Sequence, residues 1–202
     1  MDVFNELWSI NLKLSTGPDG ISARFLKECS FILSPIITFL FNKSLKTDIF
    51  PNIWKFSFVS PIYKKGNKLL VTNYRPIFKI SILPKIFSKL VNKQLFPLCE
   101  RLFSNEQHGF RPGRSSLTNL GIIKQFILES INIQAQVDVI YTEFEKAFDR
   151  VSHSLLLIKL KKFGFDNPLL SWFESILTNR VQAVKYENHI SDQINISSSV
   201  PQ

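Results

Sequence analysis

Residues 137 to 153 read Val-Asp-Val-Ile-Tyr-Thr-Glu-Phe-Glu-Lys-Ala-Phe-Asp-Arg-Val-Ser-His, and the fold reading turns on them. Val137, Val139 and Tyr141 alternate with other residues, and β-branched and aromatic types dominate. That period-2 spacing predicts a half-buried strand. Glu143, Glu145 and Asp149 follow closely. Leu155, Leu156, Ile158, Leu160 and Phe163 then form a helical face. A carboxylate at the end of a buried strand is a common way to hold a divalent metal. Mg²⁺ takes hard oxygen ligands, usually one or two carboxylates plus substrate phosphates. Spacing alone favours the plainer alternative, a solvated acidic turn between strand and helix.

The 202 residues suffice for one domain or a little more, and 45% hydrophobic content with 13% aromatics supports a packed core rather than disorder. Cys29 and Cys99 have no metal-ligand spacing, and free thiols fit a reducing compartment. The N-terminus lacks a basic region followed by an apolar run, and the run Phe31 to Phe41 is too short to span a bilayer. The expectation is an intracellular protein, nuclear or cytoplasmic, neither secreted nor membrane-bound. The net charge of +9 is concentrated. Between Pro51 and Arg101 lie ten Lys or Arg and one acid, Glu100, while the remaining bases and acids cancel. Such a concentration is the footprint of a polyanion partner, although a basic surface that is merely soluble has the same composition.

In chain order, Phe4, Leu7, Trp8 and Leu12 predict a helix over 3 to 14 with Asp2 as its cap. The turn cluster Ser-Thr-Gly-Pro-Asp-Gly (15 to 20) ends it. Further helices are expected over 22 to 29 and from about Pro35 to Lys46. Trp54 to Tyr63 reads as a strand, Lys-Lys-Gly-Asn as a hairpin tip and Tyr74-Arg-Pro-Ile as the return. From Leu83 an apolar stripe of Leu83, Ile86, Phe87, Leu90 and Val91 predicts a helix. Lys85, Lys89 and Lys93 fall on its adjacent face with no acid at that spacing, an arrangement that a phosphate backbone would relieve and that water also tolerates. Gln107-His-Gly-Phe-Arg-Pro-Gly-Arg-Ser-Ser precedes a helix starting near Ser116, and its arginines and backbone N–H groups suit phosphates. A plain connection is the alternative. A helix over 168 to 178 and strands over 181 to 186 and 190 to 196 complete the chain.

These pieces, in this order, resemble the reverse transcriptases of non-LTR retrotransposons, particularly the jockey-like elements of arthropods. Thr16-Gly-Pro-Asp-Gly-Ile resembles the family's lead into the fingers. Phe50-Pro-Asn-Ile-Trp-Lys, Pro61-Ile-Tyr-Lys-Lys-Gly and Asn73-Tyr-Arg-Pro-Ile resemble its fingers hairpin. Gln107 to Ser115 resembles its template loop, Glu143 to His153 its first palm motif, and Val200-Pro-Gln the start of the next. The resemblance implies an α+β fold of the right-hand polymerase type: fingers over 1–136, including an N-terminal helical extension to about 50, and a partial palm over 137–202. It implies an RNA template, a DNA primer, deoxynucleoside triphosphates and two Mg²⁺ ions. Lys64, Lys65 and Arg75 would grip the incoming triphosphate, and Phe148 would lie under the sugar. Gln107, Arg111 and Arg114 would track the template, with Lys85, Lys89 and Lys93 beside the nucleic acid. Intron maturases are the nearest other branch, and Lys-Ala-Phe-Asp-Arg-Val-Ser-His favours the retrotransposon one.

The sequence departs from that pattern where the chemistry is most exacting. The family's metal-binding aspartate falls on Glu143, and Ser199 stands where a glycine is usual. A two-ion site holds its metals roughly 3.5–4 Å apart in fixed geometry. The extra methylene of glutamate moves the carboxylate outward by about 1 Å, a misplacement that can cost roughly 100-fold. The sequence also ends before the paired-aspartate motif and the thumb. The expectation is a fragment or decayed copy that does not polymerise alone, or else a nucleic-acid-binding relic without catalysis.

Overall fold

The computed structural model describes residues 2–144 and 147–200. The architecture is α+β, helices with a mixed sheet. The chain divides into two compact units, Met1–Lys93 with Lys146–Gln202, and Gln94–Glu145. Among the described residues no helix is long and apolar enough to cross a membrane.

In the first unit, α1 (Val3–Trp8) is capped by Asp2, whose Oδ1 accepts from Asn5 N at 3.1 Å. It is shorter than the 3 to 14 expected, and Leu12 beyond it is exposed. α2 (Ala23–Glu28) is capped by Ser22. α3 (Ser30–Thr47) starts five residues before Pro35 and carries that proline inside. Proline lacks the N–H that would bond the carbonyl four residues back. That carbonyl, of Phe31, accepts the Ser34 hydroxyl at 3.3 Å instead. The Gly-Pro-Asp-Gly turn lies against Ser81: a Cβ on Gly17 would stand 2.4 Å from the Ser81 Cα, so glycine is required there.

β1 (Phe56–Tyr63) and β2 (Tyr74–Lys79) form the expected antiparallel hairpin. α4 (Ile82–Cys99) buries Leu83, Ile86, Phe87, Leu90 and Val91, the predicted stripe. α6 (His153–Lys162) and α7 (Leu169–Leu177) lead into β3 (Arg180–Tyr186). β3 lies parallel to β1, with Phe56 opposite Val181 and Val59 opposite Val184. The last expected strand is two: β4 (His189–Ile190) and β5 (Ile194–Ile196), both antiparallel to β3. Ile190 faces Lys185 but Ile194 faces Gln182, so one extra residue bulges between them.

The core is aromatic. Phe87 stacks on Phe41 at 4.2 Å and meets the edge of Trp172 at 5.1 Å. Phe50 and Trp54 close the cluster. Such ring pairs add roughly 0.5–1.5 kcal/mol each beyond the area they bury. The polar tip of Trp172 is satisfied: Nε1 donates to Ser44 Oγ at 3.0 Å, and that hydroxyl donates to Ile49 O at 2.6 Å.

In the second unit, α5 (Ser116–Asn132) starts at a capping box between Ser115 and Thr118. None of its side chains is buried. The strand expected over 137 to 141 is absent: residues 135–144 have no regular structure, and Ile140 and Tyr141 are almost fully exposed. Alternation specifies which faces a strand would show, but a strand also needs a neighbouring edge for its N–H and C=O groups. No named strand pairs with this segment.

An ion cluster around the buried Glu6 joins α1 to α4. Glu6 is 6% exposed, and its two oxygens accept from Lys89 Nζ at 2.6 Å and Lys93 Nζ at 2.5 Å. The lysine face therefore has an acidic partner after all, supplied by another helix that spacing along α4 could not reveal. Burial raises the Glu6 pKa, while hydrogen bonds and attraction from Lys89 and Lys93 lower it, and the net direction is down from 4.5. A carboxylate with a depressed folded pKa stabilises above its unfolded pKa and loses that contribution as pH falls through the folded value. Glu6→Gln is expected to cost about 1–3 kcal/mol at pH 7. Denaturant unfolding should show that cost whole above about pH 5 and shrinking below the ordinary glutamate range. A cost independent of pH would mean that the charge contributes nothing.

Candidate active site

The hairpin gathers three of the residues singled out in the sequence. Its tip is held by Lys64 N bonding Asn73 O at 2.9 Å, Tyr63 Oη bonding Gly66 O at 2.7 Å and Tyr74 Oη bonding Lys68 O at 2.9 Å. The Tyr63 and Tyr74 rings meet edge to face at 5.7 Å. Gly66 sits at φ +92, and a Cβ there would stand 2.8 Å from Asn73 Nδ2. This locks the tip, so Lys64 and Lys65 leave it at a fixed place. Arg75 stands opposite Ile62, next to that end. All three cations are exposed, and among the described residues none has an acidic partner. Lys85 is likewise exposed on α4, whereas Lys89 and Lys93 are engaged by Glu6.

The first unit also joins two stretches that the sequence separates widely. Ser152 bridges Ser198, Ser199 N bonds Val151 O at 3.1 Å, and the Ser198 hydroxyl donates to Asp149 O at 3.1 Å. His153 Nε2 lies 2.7 Å from Ser199 O. The segment after Phe148 is thus clamped to the segment before Val200. Ser199 adopts φ +82, a left-handed conformation natural to glycine, so its identity costs strain. Phe148 is half exposed. Asp149 and the Ser198–Ser199 clamp were not predicted as a pair, because period and composition say nothing about contacts between remote loops.

In the second unit the Gln107–Ser115 loop is braced by its own arginines. Arg111 Nη1 donates to Ser104 O at 2.8 Å, its guanidinium lies 5.9 Å from the Phe103 ring, and Glu100 is 3.9 Å away. Arg114 Nη1 donates to Asn105 O and lies 3.3 Å from His108 Nε2. His108, buried at 6% exposure, meets Thr118 Oγ1 at 2.7 Å and so ties the loop to the start of α5. Gln107 is exposed, its amide 3.5 Å from Gly109 O. His108 was missed by sequence reasoning, and its position ten residues before Thr118 carries no periodic signal.

Glu143 is exposed, in the second unit. Glu145, the next acid, lies outside the described residues, as do Lys146, Pro201 and Gln202. Among the described residues no three His, Cys, Asp or Glu side chains gather as a metal site. One exposed carboxylate does not make a two-ion centre.

A family model described as reverse transcriptase (RNA-dependent DNA polymerase) matches residues 62–202. The chain is 28% identical over its whole length to a probable RNA-directed DNA polymerase from transposon BS of Drosophila melanogaster, covering 22% of that protein. It is 29% identical over 82% of its length to the corresponding X-element protein of the same fly, covering 18%. It is 27% identical over its whole length to the RNA-directed DNA polymerase from mobile element jockey, covering 22%. The chain therefore spans about a fifth of the length of these curated relatives. It belongs to the reverse transcriptase (RNA-dependent DNA polymerase) family, and its relatives are those of non-LTR retrotransposons.

Proposed function

We propose that this chain supplies the fingers and the first part of the palm of an RNA-directed DNA polymerase that copies retrotransposon RNA. In this reading residues 1–136 are fingers, with a helical extension to about 50, and the palm begins at 137. The carrying observation is the hairpin end, where Lys64, Lys65 and Arg75 stand without acidic partners among the described residues. Phosphoryl transfer spreads negative charge over oxygens, and preorganised cations stabilise it without having to reorganise. These three residues bind the triphosphate of an incoming deoxynucleotide. Phe148 carries the sugar, and the clamp between Val151 and Ser199 fixes the backbone from which Phe148 projects.

The template loop acts through shape. Arg111 and Arg114 hold its backbone, Gln107 faces solvent, and together they present the loop to the template strand. Lys85 gives the free positive charge on α4, while Lys89 and Lys93 reach the phosphate backbone only by sharing their charge with Glu6. One carboxylate against three lysines leaves this face positive, and a nucleic-acid-binding relic without catalysis is the alternative reading. The reverse transcriptase family is generally dependent on divalent metal. Glu143 is the ligand this chain offers to a Mg²⁺ pair, with an arm one methylene longer than the family's aspartate.

Replacing Lys64, Lys65 and Arg75 together by glutamine is expected to weaken deoxynucleoside triphosphate binding by at least about tenfold, since each charge-assisted hydrogen bond contributes roughly 1.5–3 kcal/mol. Anisotropy of a fluorescent triphosphate reads this directly, and unchanged affinity would remove the hairpin from the site. RNA-templated primer extension by this chain alone is expected to be absent with Mg²⁺ or Mn²⁺, and Glu143→Asp should not restore it, because one carboxylate does not seat two ions. Templated synthesis by either chain would contradict this.

A further inference from the structure

The segment 64–73, which joins β1 to β2, holds aliphatic side chains out in water. Leu69 is 88% exposed, Leu70 54% and Val71 86%. Exposed aliphatic groups cost free energy in water, and a pliant loop lowers that cost by collapsing on itself. This loop is braced instead. Asn67 O accepts Leu70 N at 3.2 Å and Asn73 Nδ2 at 2.8 Å. Asn67 Oδ1 accepts Leu69 N at 2.9 Å, and Leu70 O accepts Asn73 N at 3.0 Å. These bonds fix the backbone from Asn67 to Asn73, so the apolar side chains are presented rather than hidden. The charge beside them is of one sign. Lys64, Lys65 and Lys68 share the loop, Arg75 follows it, and no acid occurs from Pro51 to Cys99.

Apolar side chains among cations fit a partner with negative charge outside and apolar surface within. Base-paired nucleic acid has both: phosphates face outward, and the faces of stacked bases come free at a duplex end. Side chains such as leucine, inserted as wedges at base steps, unstack them, and phosphate contacts hold the protein in register. We propose that Leu69, Leu70 and Val71 form an apolar wedge that enters the end of an RNA duplex and parts its first base pair, while Lys68 holds the phosphates. The deep, narrow major groove of A-form RNA keeps side chains from the bases, so access is at the junction where duplex meets single strand. This rests on the polymerase reading and adds to it an action on paired RNA that nucleotide binding does not require: a template folded on itself is opened at the hairpin tip. A lipid surface also combines charge with apolar depth. The same hairpin carries Lys64, Lys65 and Arg75, however, and sinking its tip into a bilayer would withdraw them from a triphosphate.

The test uses an RNA whose single-stranded end runs into a duplex, with a fluorescent purine analogue in the first base pair and fluorescein at the far end. The analogue brightens on leaving the stack, and fluorescein anisotropy reads binding separately. Saturation with the 202-residue chain should brighten the analogue. Leu69→Ser, Leu70→Ser and Val71→Ser combined should abolish the brightening while Kd changes by less than about threefold, since affinity rests on phosphate contacts. These side chains are exposed and the loop is braced by backbone and asparagine, so the serine variant keeps its fold. Leu69→Met, Leu70→Met and Val71→Ile combined should keep the brightening. Lys68→Gln should lower the slope of log Kd against log salt by about 1, yet keep the brightening at saturation. Binding by the native chain without brightening, or brightening kept by the serine variant, would overturn the wedge alone. No binding by the native chain would overturn the wedge and the polymerase reading together. Sedimentation of the native chain but not the serine variant with phosphatidylserine vesicles, with no brightening on RNA, would overturn the wedge in favour of a lipid surface.

Discussion

Parallel pairing of Phe56–Val59 with Val181–Val184 is the constraint on which the first unit depends. Parallel strands cannot be joined by a tight turn and need a long crossover. Here that crossover carries most of the chain, and its last element, α7, delivers Trp172 into the aromatic cluster. Trp172 bonds Ser44 across 128 residues of sequence, and the Phe50 amide bonds Ser175 across 125. These contacts fix the start of β1 from both sides. The hairpin therefore leaves the sheet at a determined place, with its cations at the far end. The same frame holds β3 and β5, which carry the chain back toward the Ser198–Ser199 clamp.

Much of this was legible in the sequence because the signals are local. Asp2 was readable as the cap of α1 and accepts a backbone N–H in the first turn, and Ser22, Ser115 and Ser152 are found doing the same for α2, α5 and α6. The stripe on α4 was readable because 3.6-residue spacing survives any tertiary context. The hairpin was readable because Lys-Lys-Gly-Asn sits between two runs of alternating residues. What failed was whatever depends on a remote partner. Val137 to Tyr141 has strand spacing but no partner edge. Pro35 looked like a helix start, yet Ser34 caps the freed Phe31 carbonyl and lets α3 begin earlier. Glu6 was invisible as a partner of Lys89 and Lys93, since it lies on another helix.

The candidate site divides in the same way. Lys64, Lys65 and Arg75 came from one hairpin and are found together. The sequence suits Arg111 and Arg114 to phosphate contacts, but nearby backbone carbonyls compete for guanidinium donors. Each arginine donates to a carbonyl just before the loop, of Ser104 or Asn105.

The claim that β1 and β3 form one cooperative sheet is the most exposed to direct measurement. Native-state hydrogen exchange followed by NMR gives an opening free energy for each amide. The account predicts one shared, high value for the amides of β1 and β3 that bond across the Phe56–Val59 and Val181–Val184 register, reached also by the Trp172 indole N–H. Fast exchange in β3 while the β1–β2 hairpin stays protected would contradict it, because the hairpin would then stand without the strand that anchors it.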